Sequence, residues 1–310
     1  MNQRPSISIG IPAYNEARNI RELLMVLLEQ KQGNFTLEEI IVVCDGCDDE
    51  TAALARSVAH PLIKVIENTD RRGQQARQND IVKSYRGDVL VLLEADTLPA
   101  QSDTLEKLVA PFLSPDMSAP VSMVVGSSYN IEPASFFERV LYFGSYLKRG
   151  IFAEWKDGLN IYVCHGHSGR ALSRSFTEKL SWPSDVPEDA YLYMWLKQCR
   201  LTMQRVSGAS FYSRNVTTLS DRKKQVEKYL SGKKALEKYF DRRTLGREYT
   251  IPGLLIAKHI LFAFLHTPFW TGAYLIELFL NRFYSVKRYH FDILPEPAYS
   301  TKQLKISSKH

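Results

Sequence analysis

The stretch SISIGIPAYNEARNIRELLMVLLEQ, residues 6–30, changes period partway along. SISIGIP is a short β-rich run, and ARNIRELLMVLLEQ carries apolar residues at helical spacing. The same exchange repeats downstream. EEIIVVCDG (38–46) reads as a strand stopped by Asp-Gly, DETAALARSVA (49–59) as a helix and LIKVIEN (62–68) as a strand. QARQNDIVKSY (75–85) then reads as a helix and DVLVLLEAD (88–96) as a strand. Continuous apolar strands between amphipathic helices predict an α/β fold: a mostly parallel central sheet, covered by helices on both faces and wound by right-handed crossovers.

Ligands of such sheets bind outside the carboxyl ends of the strands. Those ends fall at Pro12–Glu16, Asp45–Asp49, Asn68–Gly73 and Glu94–Asp96, which hold most of the region's polar chemistry. Four polar loops on one rim predict a site rather than four separate solvated turns. Glu94 and Asp96 stand one residue apart at the end of an apolar run. Either a cation sits between them or they mark a solvated strand end. Mg²⁺ or Mn²⁺ would suit the first reading, because hard cations take oxygen ligands and keep waters, so one or two carboxylates plus substrate phosphates suffice.

The middle of the chain has strand-like runs at SMVVGSSY (122–129) and MQRVSGASFYS (203–213) and a helix-like stretch at SFFERVLYFGSYLKRG (135–150). A loop-rich CHGHSGRALSRS (164–175) leads to PSDVPEDAYLYMWLKQC (183–199), in which Glu188 and Asp189 open a helix. Carboxylates there favour the positive end of the helix dipole, so capping alone accounts for the pair on periodicity. His165 and His167 have an H-x-H spacing that a transition metal could use, but loop histidines more often hydrogen-bond structure or contact an acceptor.

The net charge is +6, with 19 Lys and Arg against 8 Asp and Glu from Leu201 onward and 21 against 26 before it. The basic half calls for an anionic neighbour: a diphosphate, a membrane surface or nucleic acid. Nucleic acid explains the charge but not four acidic rim loops, so no nucleic-acid partner is expected. Cys44, Cys47, Cys164 and Cys199 form no disulfide framework, and MNQRPSISIG lacks a secretory apolar stretch, so a reducing cytoplasmic setting is expected. Cys44 and Cys47 have no second ligand pair and read as one buried thiol and one turn residue.

After the basic helical pattern of 221–247 comes IPGLLIAKHILFAFLHTPFWTGAYLIELFL (251–280), in which only Lys258 and Glu277 are charged. Its longest uncharged run, His259–Ile276, is broken by Pro268 and sits at the lower limit for a bilayer span. Two apolar helices hinged at Pro268 and flanked by Trp270, Tyr274 and basic residues fit an interfacial or re-entrant hairpin. A true span and packing onto the soluble core are the alternatives.

Six motifs, in order and spacing, resemble family 2 glycosyltransferases of the GT-A fold. They are I-P-A-Y-N-E (11–16), D-G-x-x-D-x-T (45–51), G-x-x-A-x-x-N (73–79), E-A-D (94–96), E-D (188–189) and Q-x-x-K-Y (225–229). The resemblance covers residues 5–240. It implies a transferase domain over 1–240, with a nucleotide-binding half at about 5–100 and an acceptor half at about 120–240. Beyond these lie an apolar membrane-associated region over 241–290 and a basic tail over 291–310.

The resemblance also implies roles. Pro12, Tyr14, Glu16 and Asp45 would hold the nucleoside of a nucleotide-sugar donor, typically uridine, with Asp45 accepting from the base. Asp96 would bind the divalent cation, and Glu94, where the family has its first Asp, would reach ribose or a metal-bound water. Asp189 would be the catalytic base and Glu188 an acceptor contact. Gln225, Lys228 and Arg72 would steady the diphosphate, and Tyr229 and His167 would line the acceptor path. Lys for Arg in Q-x-x-K-Y replaces a bidentate fork by a point charge. The expected enzyme is a metal-dependent, inverting transferase that takes a UDP-sugar to a glycan or lipid-linked acceptor at the cytoplasmic face of the membrane. A retaining transferase and a binding-only domain are its competitors.

Overall fold

The computed structural model describes residues 4–113, 120–281 and 299–302. The first hundred residues fold in the expected alternation: β1 (Ser6–Ala13), α1 (Ile20–Leu28), β2 (Thr36–Asp45), α2 (Thr51–Arg56), β3 (Ile63–Asn68), α3 (Gln74–Ser84) and β4 (Val89–Leu92). A two-residue β5 (Leu98–Pro99), α4 (Thr104–Val109), β6 (Val121–Asn130) and α5 (Phe136–Glu154) follow. Next come β7 (Arg170–Ser173), α6 (Arg174–Thr177), α7 (Glu188–Gln198) and β8 (Thr202–Ser213). The remaining helices are α8 (Leu219–Leu236), α9 (Arg242–Tyr249), α10 (Gly253–His266) and α11 (Pro268–Asn281).

The strands form one sheet in the order β3-β2-β1-β4-β7-β6-β8-β5. β3, β2, β1 and β4 are mutually parallel, β7 runs antiparallel to both β4 and β6, and β8 is parallel to β6. Both faces of β2 are buried. Ile40 and Val42 pack with Leu23 and Leu27 of α1, whereas Ile41 and Val43 belong to the opposite layer with Ile81 and Tyr193. That two-sided burial is why the strand reads as an unbroken apolar run. Chain order reverses at the β1–β4 pair, so the crevice at the carboxyl ends of these strands is the position where such sheets bind ligands.

A third cluster joins α5 to α10 and α11 through Val140, Leu147, Ile151, Ala263 and Tyr274. α5 begins with a capping box, in which the Glu138 N–H donates to the Ser135 side chain and the Ser135 N–H donates to Glu138 Oε2. Glu138 also accepts from Arg214 at 2.9 Å, tying the helix start to the end of β8. The chain turns between α10 and α11 at Thr267 and Pro268, so the expected hairpin forms, and only its inner face packs. Leu254 (88% exposed), Leu265 (72%), Phe269, Ile276 and Phe279 face outward.

Three expectations need correction. β4 stops at Leu92, because Glu94–Asp96 leave the sheet in a turn closed by Thr97 N–H to Glu94 O. Residues 170–173, read as loop, form the central strand β7. The apolar region does not begin at 241: α9 packs Leu245 into the main core, and Glu248 accepts from Tyr193 and Lys156. The exposed apolar surface starts instead at α10. The basic tail 291–310 lies outside the described residues apart from 299–302.

Candidate active site

The turn after β4 carries Glu94 and Asp96 into the crevice, and the Gly-rich loop before β7 brings His167 against them. His167 Nδ1 lies 3.1 Å from Glu94 Oε2, 3.5 Å from Asp96 Oδ1 and 3.0 Å from the Thr97 hydroxyl. One ligand atom from each of Glu94, Asp96 and His167 lies within 4.8 Å of the others, a separation that one ion can bridge. Electrostatics separates the two acids. Desolvation and then the Glu94 charge raise Asp96 above its usual range, outweighing His167. Desolvation also opposes ionisation of Glu94, but His167, Arg170 and Lys228 outweigh it and leave Glu94 below its usual range. His167 is itself raised: burial opposes its charge, and the facing Glu94 and Asp96 overcome that penalty.

The H-x-H pair divides. His165 Nδ1 sits 3.0 Å from Asp189 Oδ2, while the other Asp189 oxygen accepts the Ala190 N–H at 2.7 Å. Asp189 therefore meets a backbone donor in the first turn of α7 and a histidine together, while Pro187 is the cap residue, so the pair does not cap the helix with a side chain as periodicity alone suggested. Burial disfavours its charge, but the His165 hydrogen bond, then the charges of His165, Lys228 and Arg170, hold it far below the usual carboxylate range. Its neighbour Glu188 is pushed up by burial, with Asp189 and Glu94 adding to that and Lys228, 4.0 Å away, opposing it. Tyr229 is exposed, its ring centre 6.0 Å from that of His165. Gln225 accepts from Arg222 at 2.8 Å.

The nucleotide side is more tightly bound to itself. Asp45 is buried, and its carboxylate takes N–H groups from Arg72 (2.7 Å) and Gly73 (2.8 Å) and Nε of Arg77 (2.7 Å). Most of its accepting capacity thus shapes the Asn68–Gly73 loop. The Arg72 side chain is exposed, 3.9 Å from Asp70. Tyr14 is covered by the Arg71 guanidinium, 4.0 Å from the ring centre, and by Lys302 at 5.3 Å. Lys302 donates to Tyr14 O and Asn15 O and pairs with Glu16 at 3.0 Å. Even so, burial and then Asp96 push Glu16 up to about 7. Pro12, half-buried at the end of β1, lies in register with Val43 of β2.

The first two rim loops are stitched together, with Glu16 N–H donating to Thr51 Oγ1 at 2.7 Å and Asp48 N–H to Asn15 Oδ1 at 3.1 Å. Gly46, at φ 64°, has the loop backbone of Asp70 and Arg71 where a Cβ would be, so only glycine closes this turn. Asn79 exchanges two hydrogen bonds with the backbone of Trp182 (2.8 and 2.9 Å), locking α3 to the loop that leads into α7, where Glu188 and Asp189 lie. Cys44 is buried and Cys47 partly so, both as free thiols.

The fold thus unites Glu94, Asp96 and His167 in one cluster and links Glu188 to Lys228. It gives Tyr14, Asp45 and Arg72 protein partners of their own. Sequence reasoning missed Arg170, Lys302 and the partnership of His165 with Asp189. Arg170 is 0% exposed, and none of its three guanidinium nitrogens has a hydrogen-bond partner among the described residues, while its charge acts on Glu94, Glu188 and Asp189. The only sequence signal for it was an arginine in an otherwise small and apolar quartet, RALS.

Comparison with known proteins agrees with this arrangement. A stretch of glycosyltransferase AglD from Haloferax volcanii is 36% identical over 107 residues, 33% of this chain and 17% of the relative. The undecaprenyl-phosphate 4-deoxy-4-formamido-L-arabinose transferase of Pseudomonas fluorescens is 35% identical over 111 residues, 34% of this chain and 31% of the relative. The matches therefore span about a third or less of these relatives' length. Among solved structures, the mannosyltransferase PcManGT of Pyrobaculum calidifontis, in complex with GDP-Man and Mn²⁺, superposes with a TM-score of 0.57 at 19% identity, over 91% of this chain and 76% of that one. Glucosyl-3-phosphoglycerate synthase of Mycobacterium tuberculosis, with Mn²⁺, UDP and phosphoglyceric acid, gives 0.52 at 17%, over 76% of this chain and 78% of that one. Both likenesses show the GT-A architecture, and residues 8–180, more than half of the chain, match the model for glycosyl transferase family 2, the family to which this protein belongs.

Proposed function

We propose that the protein transfers a sugar from a nucleotide-diphosphate donor, a UDP-sugar, to an acceptor hydroxyl or phosphate, with inversion and with a divalent cation. The observation that carries this reading is the cluster of Glu94, Asp96 and His167 at the β1–β4 switch point, with Asp189 on the facing helix. Three potential ligand atoms within 4.8 Å, two from carboxylates that repel one another, fit Mg²⁺ or Mn²⁺. Asp96 is the principal ligand, with Glu94 and His167 completing or orienting the set. A cation bound there would neutralise charge developing on the departing diphosphate.

The remaining work falls to the protein's own groups. Asp189, held far below the usual carboxylate range, accepts the acceptor's proton as the new bond forms, and its hydrogen bonds with His165 and the Ala190 N–H fix the orientation of the carboxylate. Lys228 and Gln225 flank the diphosphate, Pro12, Tyr14, Glu16 and Asp45 surround the nucleoside, and Arg72 reaches from the loop. Glu188 and Tyr229 border the acceptor path. Hydrolysis or transfer from nucleotide sugars with Mn²⁺, abolished in Asp96→Ala and Asp189→Ala, is the test. Activity surviving both substitutions would refute the assignment, and product anomer analysis separates inversion from retention.

The same reading includes the membrane. The stretch Arg242–His266 has the length and composition of a spanning helix, but Thr250–Pro252 divide it into α9 and α10. At 1.5 Å per residue, the 14 residues of α10 or α11 reach about 21 Å, short of the roughly 30 Å hydrocarbon core. An apolar hairpin too short to cross, with one face packed on α5 and the other exposed, suits the interface at the cytoplasmic side of a membrane.

A further inference from the structure

A cavity of ≈ 190 Å³ is lined by His165 and His167 of the loop before β7, by residues of α5 and by Tyr274 of α11. Five cationic side chains line it, Lys148, Arg149, Arg205, Arg214 and Arg222, and among the described residues no carboxylate does. Two of the five are matched from behind: Arg214 by Glu138 at 2.9 Å and Arg222 by Glu277 at 2.7 Å. The other three lack an acid within ion-pair distance among the described residues. Arg149 lies over the Tyr129 ring at 4.1 Å. Arg205 donates only to the Ser127 hydroxyl, at 3.3 Å, and leaves its Nε buried without a partner. Desolvation and then Arg222 push Lys148 down to about 8, and desolvation likewise lowers Arg149.

Gathering unmatched cations in one concavity costs folding free energy that hydrophobic side chains would not. An anion held between them recovers that cost through charge-assisted hydrogen bonds. We infer that this cavity binds a phosphate group of the acceptor, with Lys148, Arg149 and Arg205 as its ligands and Ser127 and Ser128 as supporting donors. The inference rests on the transferase reading and names the acceptor's chemical class. His165, the partner of Asp189, is among the lining residues, so a phosphate held there would stand near the reacting groups. Arg222 and Tyr274 line it too, and the Arg222–Glu277 pair ties that wall to α11, so a chain attached to the phosphate would leave over the hairpin. A soluble phosphorylated acceptor and a lipid phosphate share this recognition.

Titration calorimetry on the full chain, preloaded with Mn²⁺ and UDP, tests it with three probes: inorganic phosphate, citronellyl phosphate and uncharged citronellol. Saturable binding of a phosphate probe is expected, weakened at least about tenfold in each of Lys148→Gln, Arg149→Gln and Arg205→Gln. UDP–Mn²⁺ affinity should stay within about twofold of wild type in the same variants. Arg149→Gln, at a half-buried position over Tyr129, keeps the test readable if Arg205→Gln fails to fold. Citronellyl phosphate binding more tightly than inorganic phosphate identifies a lipid phosphate, and equal affinities identify a soluble acceptor. No saturable phosphate binding, variants that bind like wild type, or citronellol matching its phosphate would overturn the inference. A parallel loss of UDP affinity would overturn it too, by assigning the cavity to the donor. A wild type that binds neither UDP nor GDP with Mn²⁺ would instead sink the transferase reading, while the phosphate titration without nucleotide would still report on the cavity.

Discussion

The loops on the sheet's rim and the cationic cavity treat charge in opposite ways. On the rim, nearly every charge has a partner within the chain: Asp45 with Arg77, Glu16 with Lys302, Asp49 with the Ala17 N–H. In the cavity, three cations line one concavity without an acid in ion-pair distance among the described residues, and one arginine Nε is left unbonded. The rim is therefore neutralised within the chain, whereas the cavity, as inferred above, is completed only by an anion. The rim should lose stability when its charges are removed, and the cavity should lose binding.

The largest expected effect lies where the two meet. Asp96→Ala should lower sugar transfer by about a thousandfold or more, measured as nucleotide release with Mn²⁺, and Asp189→Asn by a similar factor. Glu94→Asp, which keeps the charge, should retain most activity. If Glu94→Asp abolished transfer and Asp96→Ala did not, the ligand assignment would be reversed.

Stability should divide next. Arg77→Met strands the buried Asp45 carboxylate and should cost about 3–5 kcal/mol in urea denaturation. Lys148→Met, which removes a cation from the cavity, should leave stability unchanged or raise it by about 1 kcal/mol. Equal losses from both would erase the contrast between the regions.

A smaller effect concerns pH. Burial opposes ionisation of Glu39, but hydrogen bonds from Lys64, Ser8 and the Arg86 N–H outweigh it, so its folded pKa lies below 4.5. A depressed carboxylate contributes stability above its unfolded pKa and loses it as pH falls through the folded value. Wild type should thus lose stability relative to Glu39→Gln as pH drops below about 4.5, the two curves converging in acid. Parallel curves would show that Glu39 is not held in that way. Smallest in stability, within about 0.5 kcal/mol, should be Leu265→Glu on the outer face of α10, yet co-sedimentation with anionic vesicles should fall. Unchanged sedimentation would remove the hairpin from the interface.

The nucleotide half was legible because β1, β2 and β4 are buried on both faces, while the edge strand β3 alternates half-buried and exposed residues, so period separates strands from helices. β7 was not: RALS is four residues long and carries an arginine, and its place between β4 and β6 depends on long-range pairing. The acidic half of the site could be read from Glu94, Asp96 and Asp189 by motif. The histidines could not be allotted, since adjacent H-x-H positions diverge only through the turn geometry of Gly166 and Gly169. α9 was misjudged because its basic, amphipathic sequence continues the pattern of α8, while Leu245, Glu248 and Tyr249 secure it to the core.

Gly166 has one further consequence. A Cβ on this residue would lie 1.5 Å from Glu94 Oε1, so the backbone between the two histidines and the carboxylate of the β4 turn share one volume. Only glycine leaves room for that carboxylate, so Gly166→Ala should push Glu94 out of its place beside His167, and a single methyl group on a residue with no functional side chain should disturb the acidic cluster as directly as a substitution within it.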